Sequence, residues 1–182
     1  MRVGSGTIYA HVFENLSAGI PRNLFWNLGI DLGLSSEEVA DQIQSISCSW
    51  MTLAARRWRD LDGLSLSDCL QPSIIECTFY RDSEHHWADL DAFSLRCTKE
   101  VGHLDMVLSL QIPSVTVDNE SAIRMNVECE AIFDGIIVVP GNLKPSPTTP
   151  EEAIKVASEF ADIGAFQEPI WDRFRYIFRP AL

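Results

Sequence analysis

The sequence predicts an α+β protein, an antiparallel sheet of four or more strands packed with a C-terminal helix. In residues 123–133, apolar and polar side chains alternate at a period of two, as expected for a strand with one buried face. After a proline-rich loop, Thr149, Pro150 and Glu152 form a helix start signal, with Thr149 as the cap. A sheet covered by a C-terminal helix follows from these two patterns.

Three further strands are predicted before this one. Stretches of β-branched and aromatic residues bounded by turn residues span 74–80, 93–101 and 104–117, and the fourth strand spans 123–139. Residues 81–91, between the first two, are predicted to be an acidic loop that carries histidines. A short strand at 7–14 begins the chain.

An N-terminal helical segment is predicted to begin at Ser35 or Ser36, because Ser35 and Glu38 match a capping box. Apolar residues then follow helical spacing to about residue 54. Serines at 45, 47 and 49 alternate with apolar neighbours, so a strand is the alternative for this part. The glycine- and proline-bearing segment before it, around residues 19–33, is predicted to be loop or short helical turns.

The C-terminal helical region is predicted to divide at Pro169. Apolar residues occupy one helical face on either side of it, and Ile170, Phe174, Ile177 and Phe178 form the second set. A proline within a helix removes a hydrogen bond and clashes one turn back, so we expect a kink near Pro169. We expect one domain, 1–182, in which residues 1–65 form a strand-and-helix extension of the sheet and helix in 66–182.

Composition narrows the classes of partner. The chain has 182 residues, 46% of them hydrophobic, which suits a globular domain with a substantial core. Its net charge of −12 disfavours nucleic acid and anionic membrane surfaces as partners. No apolar run approaches the roughly 18 residues needed to span a bilayer. The five widely spaced cysteines are an odd number, which favours buried free thiols in a cytoplasmic protein.

No catalytic, metal or cofactor motif stands out in the chain. His85 and His86 lie among acidic residues, but adjacent histidines in a loop lack the convergent spacing of metal ligands, so a solvated loop is our interpretation. An enzyme would require His85, His86 or His103 to meet carboxylates in a cleft. We therefore expect no enzymatic activity, no metal and no cofactor.

A resemblance to a known family rests on the C-terminal third. Its residues are the run Val-Glu-Cys-Glu-Ala-Ile-Phe-Asp from Val127 to Asp134, Pro-Glu-Glu from Pro150, and Gly-Ala-Phe-Gln-Glu-Pro-Ile-Trp-Asp-Arg from Gly164 to Arg173. This pattern resembles the SecB-like export chaperones over roughly the last 60 residues. The resemblance implies a homotetramer that holds unfolded polypeptides against apolar grooves, with no ATPase or other chemistry.

Two functional hypotheses follow from the sequence. The first is an ATP-independent holdase-type chaperone that binds non-native polypeptide. The alternative is an acidic immunity- or antitoxin-type protein that neutralises one basic protein partner by charge complementarity. For contacts with the client or partner we expect four aromatic and four acidic side chains: Trp87, Phe93, Phe166, Trp171, Asp82, Glu84, Asp89 and Asp91.

Overall fold

The computed structural model describes residues 2–32, 43–71, 74–81, 84–113 and 122–181. These residues contain nine strands and one α-helix, α1 (Pro150–Ser158). The strands are β1 (Arg2–Asn15), β2 (Ile20–Asp31), β3 (Ser45–Met51), β4 (Glu76–Arg81), β5 (Glu84–Cys97), β6 (His103–Ile112), β7 (Ile123–Val138), β8 (Ile170–Trp171) and β9 (Tyr176–Phe178). Within the described part of the chain, no helix has the length and apolar character needed to cross a membrane.

The first seven strands form a closed barrel. Each pairs antiparallel with the next along the chain, and β1 also pairs with β7 in parallel, from Arg2 opposite Glu128 to Val12 opposite Val138. The α+β fold predicted from the sequence, a four-stranded sheet with an N-terminal helical segment, is therefore wrong. The described residues are mostly strand, with one short helix.

The barrel interior is filled by side chains that alternate along each strand. On β1, Ile8, Ala10 and Val12 are fully buried and point inward. Trp26 of β2 stacks on Phe133 of β7 with ring centroids 5.5 Å apart. Large apolar residues from strands that do not pair with each other thus meet inside, which makes the barrel a packed core.

The described part of the predicted N-terminal helical segment contains a strand, not a helix. Its proposed start at Ser35 or Ser36 lies outside the described residues, but Ser45–Met51 is β3, paired with β2 and β4. The strand alternative indicated by the serine alternation is confirmed, because Ile46 and Cys48 point into the barrel while Ser47 is exposed. The segment expected to be loop contains β2, which a turn ending at Gly19 joins to β1.

The predicted acidic loop at 81–91 is also wrong. Strands β4 and β5 form a hairpin in which Arg81 pairs with Glu84, so most of the loop is strand. Residues 82–83 lie outside the described part. The strand was missed because histidines and acidic residues dominate this stretch. Its side chains nevertheless alternate, with Ala88 facing the barrel interior and Trp87 facing solvent.

Helix α1 begins at the predicted residues. The Thr149 side chain accepts a hydrogen bond from the Glu152 backbone N–H at 3.3 Å. The Glu152 carboxylate turns back to Thr148, accepting from its hydroxyl at 3.0 Å and its backbone N–H at 2.6 Å. The helix ends at Ser158, so the expected kink near Pro169 is wrong: Pro169 lies outside any helix, directly before β8.

The helix start makes part of the stability depend on pH. Hydrogen bonds from Thr148 lower the pKa of Glu152 from its ordinary value of 4.5. A carboxylate whose folded pKa is lowered contributes stability above its unfolded pKa, and this contribution is lost as pH falls through the folded pKa. We therefore expect Glu152→Gln to lower the melting temperature at pH 7 and to change it much less at pH 3. Glu168→Gln, an exposed substitution outside α1, is the control for loss of one negative charge; equal shifts for both variants would contradict the role of Glu152.

Candidate functional site

A hairpin formed by β8 and β9 carries the most prominent apolar surface among the described residues. Strand β9 pairs with the end of β7, from Ile136 opposite Phe178 to Val138 opposite Tyr176, so the hairpin is anchored on the barrel. Strand β8 pairs only with β9 and is the last strand of the described sheet. Its outer edge is open to pairing with an added strand.

The turn of this hairpin is held by its own polar groups. The Asp172 carboxylate accepts a hydrogen bond from Arg175 Nε at 2.8 Å, and the Asp172 backbone N–H donates to the Arg175 carbonyl at 3.1 Å. The bond from Arg175 is the main cause that lowers the pKa of Asp172. Arg173 takes a left-handed conformation with φ of 78°, which completes the tight reversal. Phe174 is thereby placed at the tip.

Three large apolar side chains of the hairpin face solvent. Phe174 is 76% exposed, Ile170 53% and Trp171 50%. The Trp171 ring lies 4.7 Å from the Tyr176 ring, and Tyr176 is buried. Large exposed apolar residues grouped on one element mark a contact surface more often than scattered ones do.

A shallow hollow of about 560 Å³ adjoins the hairpin. It is lined by Trp171 and Tyr176 of the hairpin, by the loop before α1 and by the first residue of α1; these last two parts contribute Pro140, Ser146, Pro147, Thr148 and Pro150. Aromatic rings and prolines make an apolar floor of rigid parts, which loses little conformational entropy when a ligand binds. We call Ile170, Trp171, Phe174 and this hollow the hairpin surface.

The charge of the hairpin differs from that of the whole chain. Residues 170–180 contain three arginines and one aspartate, whereas the chain has a net charge of −12. Arg175 is engaged by Asp172, and Arg179 lies 3.8 Å from Asp134. Tryptophan, tyrosine and arginine are the residues most enriched at binding hot spots. The composition of the hairpin surface is therefore typical of a protein-contact site.

Comparisons with protein-family models, curated proteins and solved structures gave no match. Function is accordingly proposed from the residues and geometry of this chain.

The predicted aromatic contacts fall in different places. Trp171 belongs to the hairpin surface, and Trp87 is 63% exposed on β5. Phe93 is 3% exposed inside the barrel, and Phe166, 7% exposed, packs on Phe133 with ring centroids 6.3 Å apart. A client or partner could touch these two buried rings only if the core opened.

The predicted acidic contacts do not form one site. Asp82 lies outside the described residues, and Glu84 and Asp89 are exposed on β5. Asp91 is partly buried and accepts hydrogen bonds from Gln111 at 2.9 Å and from Arg124 at 2.9 Å. Of the described members of the acidic set, Glu84 and Asp89 are the better placed for a partner.

The two adjacent histidines do not converge. His86 stacks on Phe79 of β4 with centroids 5.2 Å apart, whereas His85 lies 5.1 Å from Tyr80 on the other face of the hairpin. Among the described residues, no group of three or more His, Cys, Asp or Glu side chains is arranged to hold a metal ion.

A second group of rings lies on the outer face of β1, β2 and β3. Trp50 packs edge-on against His11, Phe13 and Phe25 with centroid distances of 5.2 to 5.5 Å. Its indole N–H donates to the Glu76 carboxylate at 3.1 Å. Burial lowers the pKa of His11. These rings cover one another, so we interpret the group as a satellite core.

Sequence reasoning missed Ile170 and Phe174 as contact residues. It assigned them to one helical face with Ile177 and Phe178, and the hairpin separates them: the first two are exposed and the last two are buried. The available indication was the β-branched and aromatic content of Ile-Trp and Tyr-Ile-Phe on either side of Asp-Arg-Phe-Arg, which is typical of a hairpin.

Proposed function

We propose that this protein is an ATP-independent holdase that binds extended apolar segments of non-native polypeptides at the hairpin surface and performs no chemistry. The observation that carries the proposal is the exposure of three large apolar side chains, Ile170, Trp171 and Phe174, on one short hairpin, where Trp171 also lines the hollow. The sequence resemblance to SecB-like chaperones led to the same hypothesis, although the barrel is not the fold that it implied. It also motivates the proposal of a homotetramer acting in the cytoplasm.

An extended segment suits this surface for two reasons. The open edge of β8 can form backbone hydrogen bonds with an added strand of any sequence, which gives affinity without sequence specificity. The hollow beside Trp171 can then receive apolar side chains of that strand. The high net charge keeps such a complex soluble by repulsion between copies.

The proposal is tested by light scattering from reduced α-lactalbumin, with the native mass of the chaperone measured on the same sample. Because α-lactalbumin is also acidic, charge attraction would not explain its capture. We expect suppression of aggregation near stoichiometric ratios. Replacing Trp171 and Phe174 together by Ser should raise the concentration needed for half-suppression about tenfold or more, since losing a hot-spot side chain costs more than about 1 kcal/mol and about 1.4 kcal/mol is tenfold in affinity.

Trp87→Ser is the matched control, because it also removes an exposed tryptophan but on β5. It should leave suppression unchanged, and circular dichroism should show all variants folded. Equal loss in both variants, or no suppression by the unaltered protein, would contradict the proposal. A native mass equal to that of a tetramer would support the proposed homotetramer. A monomer that suppresses aggregation would contradict the homotetramer and leave the proposed holdase activity in place.

The second candidate function is neutralisation of one basic protein partner. The observation that favours it is on β5, where Trp87 and Asp89 lie two residues apart on the outer face. An exposed ring beside a carboxylate suits a folded basic partner. In this case Trp87→Ser with Asp89→Asn would abolish capture of a single protein, while the hairpin variants would retain it.

A further inference from the structure

Two cysteines meet inside the barrel. Cys48 of β3 lies directly opposite Cys77 of β4 in the antiparallel register, and both side chains point inward, with exposures of 0% and 2%. Their sulfur atoms are 2.7 Å apart, within hydrogen-bond distance. The other three cysteines lie elsewhere: Cys69 after a short 3-10 turn, Cys97 at the end of β5 and Cys129 on β7.

We infer that Cys48 and Cys77 form a reversible cross-strand disulfide, a redox site that joins β3 to β4 within the barrel. Residues directly opposite one another on antiparallel strands have Cα atoms about 4.5–5.5 Å apart. This separation lies within the range of about 4.4–6.8 Å that disulfides require. The oxidised bond therefore needs no rearrangement of the two strands.

Oxidation requires an electron acceptor, for which a small-molecule disulfide such as oxidised glutathione is suitable. One protein thiol loses its proton to solvent, and its sulfur attacks glutathione disulfide, forming a mixed disulfide and releasing one glutathione. The second protein thiol loses its proton and attacks the protein sulfur of the mixed disulfide, releasing the second glutathione. Two protein thiols are thereby oxidised to one disulfide, and glutathione disulfide is reduced to two thiols.

Burial determines when this exchange can occur. The hydrogen bond with Cys77 and the loss of solvent raise the pKa of Cys48 well above its ordinary value, so the reactive thiolate is scarce in the closed barrel. The reagent also cannot reach either sulfur from outside. Oxidation should therefore be fast during refolding, when both thiols are open to solvent, and at least tenfold slower in the folded protein.

The test is refolding in glutathione buffers of increasing oxidised fraction, followed by alkylation, mass spectrometry and a non-reducing peptide map. We expect two of the five thiols to become protected in a cooperative step and the map to join the peptides of Cys48 and Cys77. The oxidised form should also unfold at higher denaturant, because the cross-link restricts the unfolded chain.

Cys77→Ala should abolish the protected pair, and Cys129→Ala, a buried cysteine on β7, should leave it in place. Circular dichroism of both variants separates loss of the bond from loss of the fold. Five alkylatable thiols in the most oxidising buffer, or a map that joins any other cysteines, would overturn the inference. The map uses the unaltered chain, so it decides the matter even if a variant does not fold.

Discussion

Replacing Trp26 with Ala should lower the free energy of unfolding by about 3–5 kcal/mol. Trp26 is 1% exposed and stacks on Phe133 inside the barrel. Its removal leaves a cavity beside Phe133. The surrounding strands cannot collapse into this cavity, because each of them is held by strand pairing on both sides. Denaturant unfolding followed by far-ultraviolet circular dichroism measures the loss without relying on tryptophan fluorescence.

Trp26→Phe is the informative companion substitution. The indole Nε1 of Trp26 is buried and has no hydrogen-bond partner within the described residues. A buried donor without a partner is costly, so its removal offsets part of the lost packing. We expect Trp26→Phe to lower the free energy of unfolding clearly less than Trp26→Ala does. The surface substitution Trp87→Ala should change it by no more than about 0.5 kcal/mol. A Trp26→Ala loss as small as that of the surface variant would contradict the packed interior.

Gly135→Ala should lower the free energy of unfolding by about 3 kcal/mol and should also weaken client binding. Gly135 has φ of 120°, a conformation that residues with a Cβ rarely adopt. A Cβ at this position would also collide with the carbonyl oxygen of Phe178 on β9. The register between β1 and β7 shifts here, where β7 begins to pair with β9. Strain at this position therefore acts on the attachment of the hairpin surface.

Gly29→Ala is the matched control, because Gly29 lies within β2 and an added Cβ would meet open space. Chemical unfolding and the light-scattering assay on the two variants separate a general glycine effect from the effect on the hairpin. If Gly135→Ala retained both stability and suppression of aggregation, two claims would be contradicted. These are the close contact of residue 135 with Phe178 and its role in attaching the hairpin surface.

The candidate site could be predicted only in part. Trp171 was predicted to contact a client or partner, and the structure shows it half exposed on the hairpin; the contact itself stays a prediction. Phe166, from the same stretch, is buried against Phe133. Both are large aromatic residues in a mixed sequence, so the local pattern does not tell which of the two is buried. The pairing of β9 with β7 decides this, because it fixes which part of the C-terminal segment packs on the barrel.

The strand at 123–133 and the start of α1 were determined by the sequence alone. Alternation at a period of two and a capped helix start are local patterns, and neighbouring side chains suffice to produce them. Only the tertiary structure decided that the sheet closes, because the parallel pairing of β1 with β7 joins residues more than a hundred positions apart. Pairing within the sheet also decided β2 and β3: β2 lies between β1 and β3, and β3 lies between β2 and β4, so segments predicted to be loop and helix are strands. Long-range backbone pairing, rather than local propensity, thus set the fold and the place of the hairpin surface.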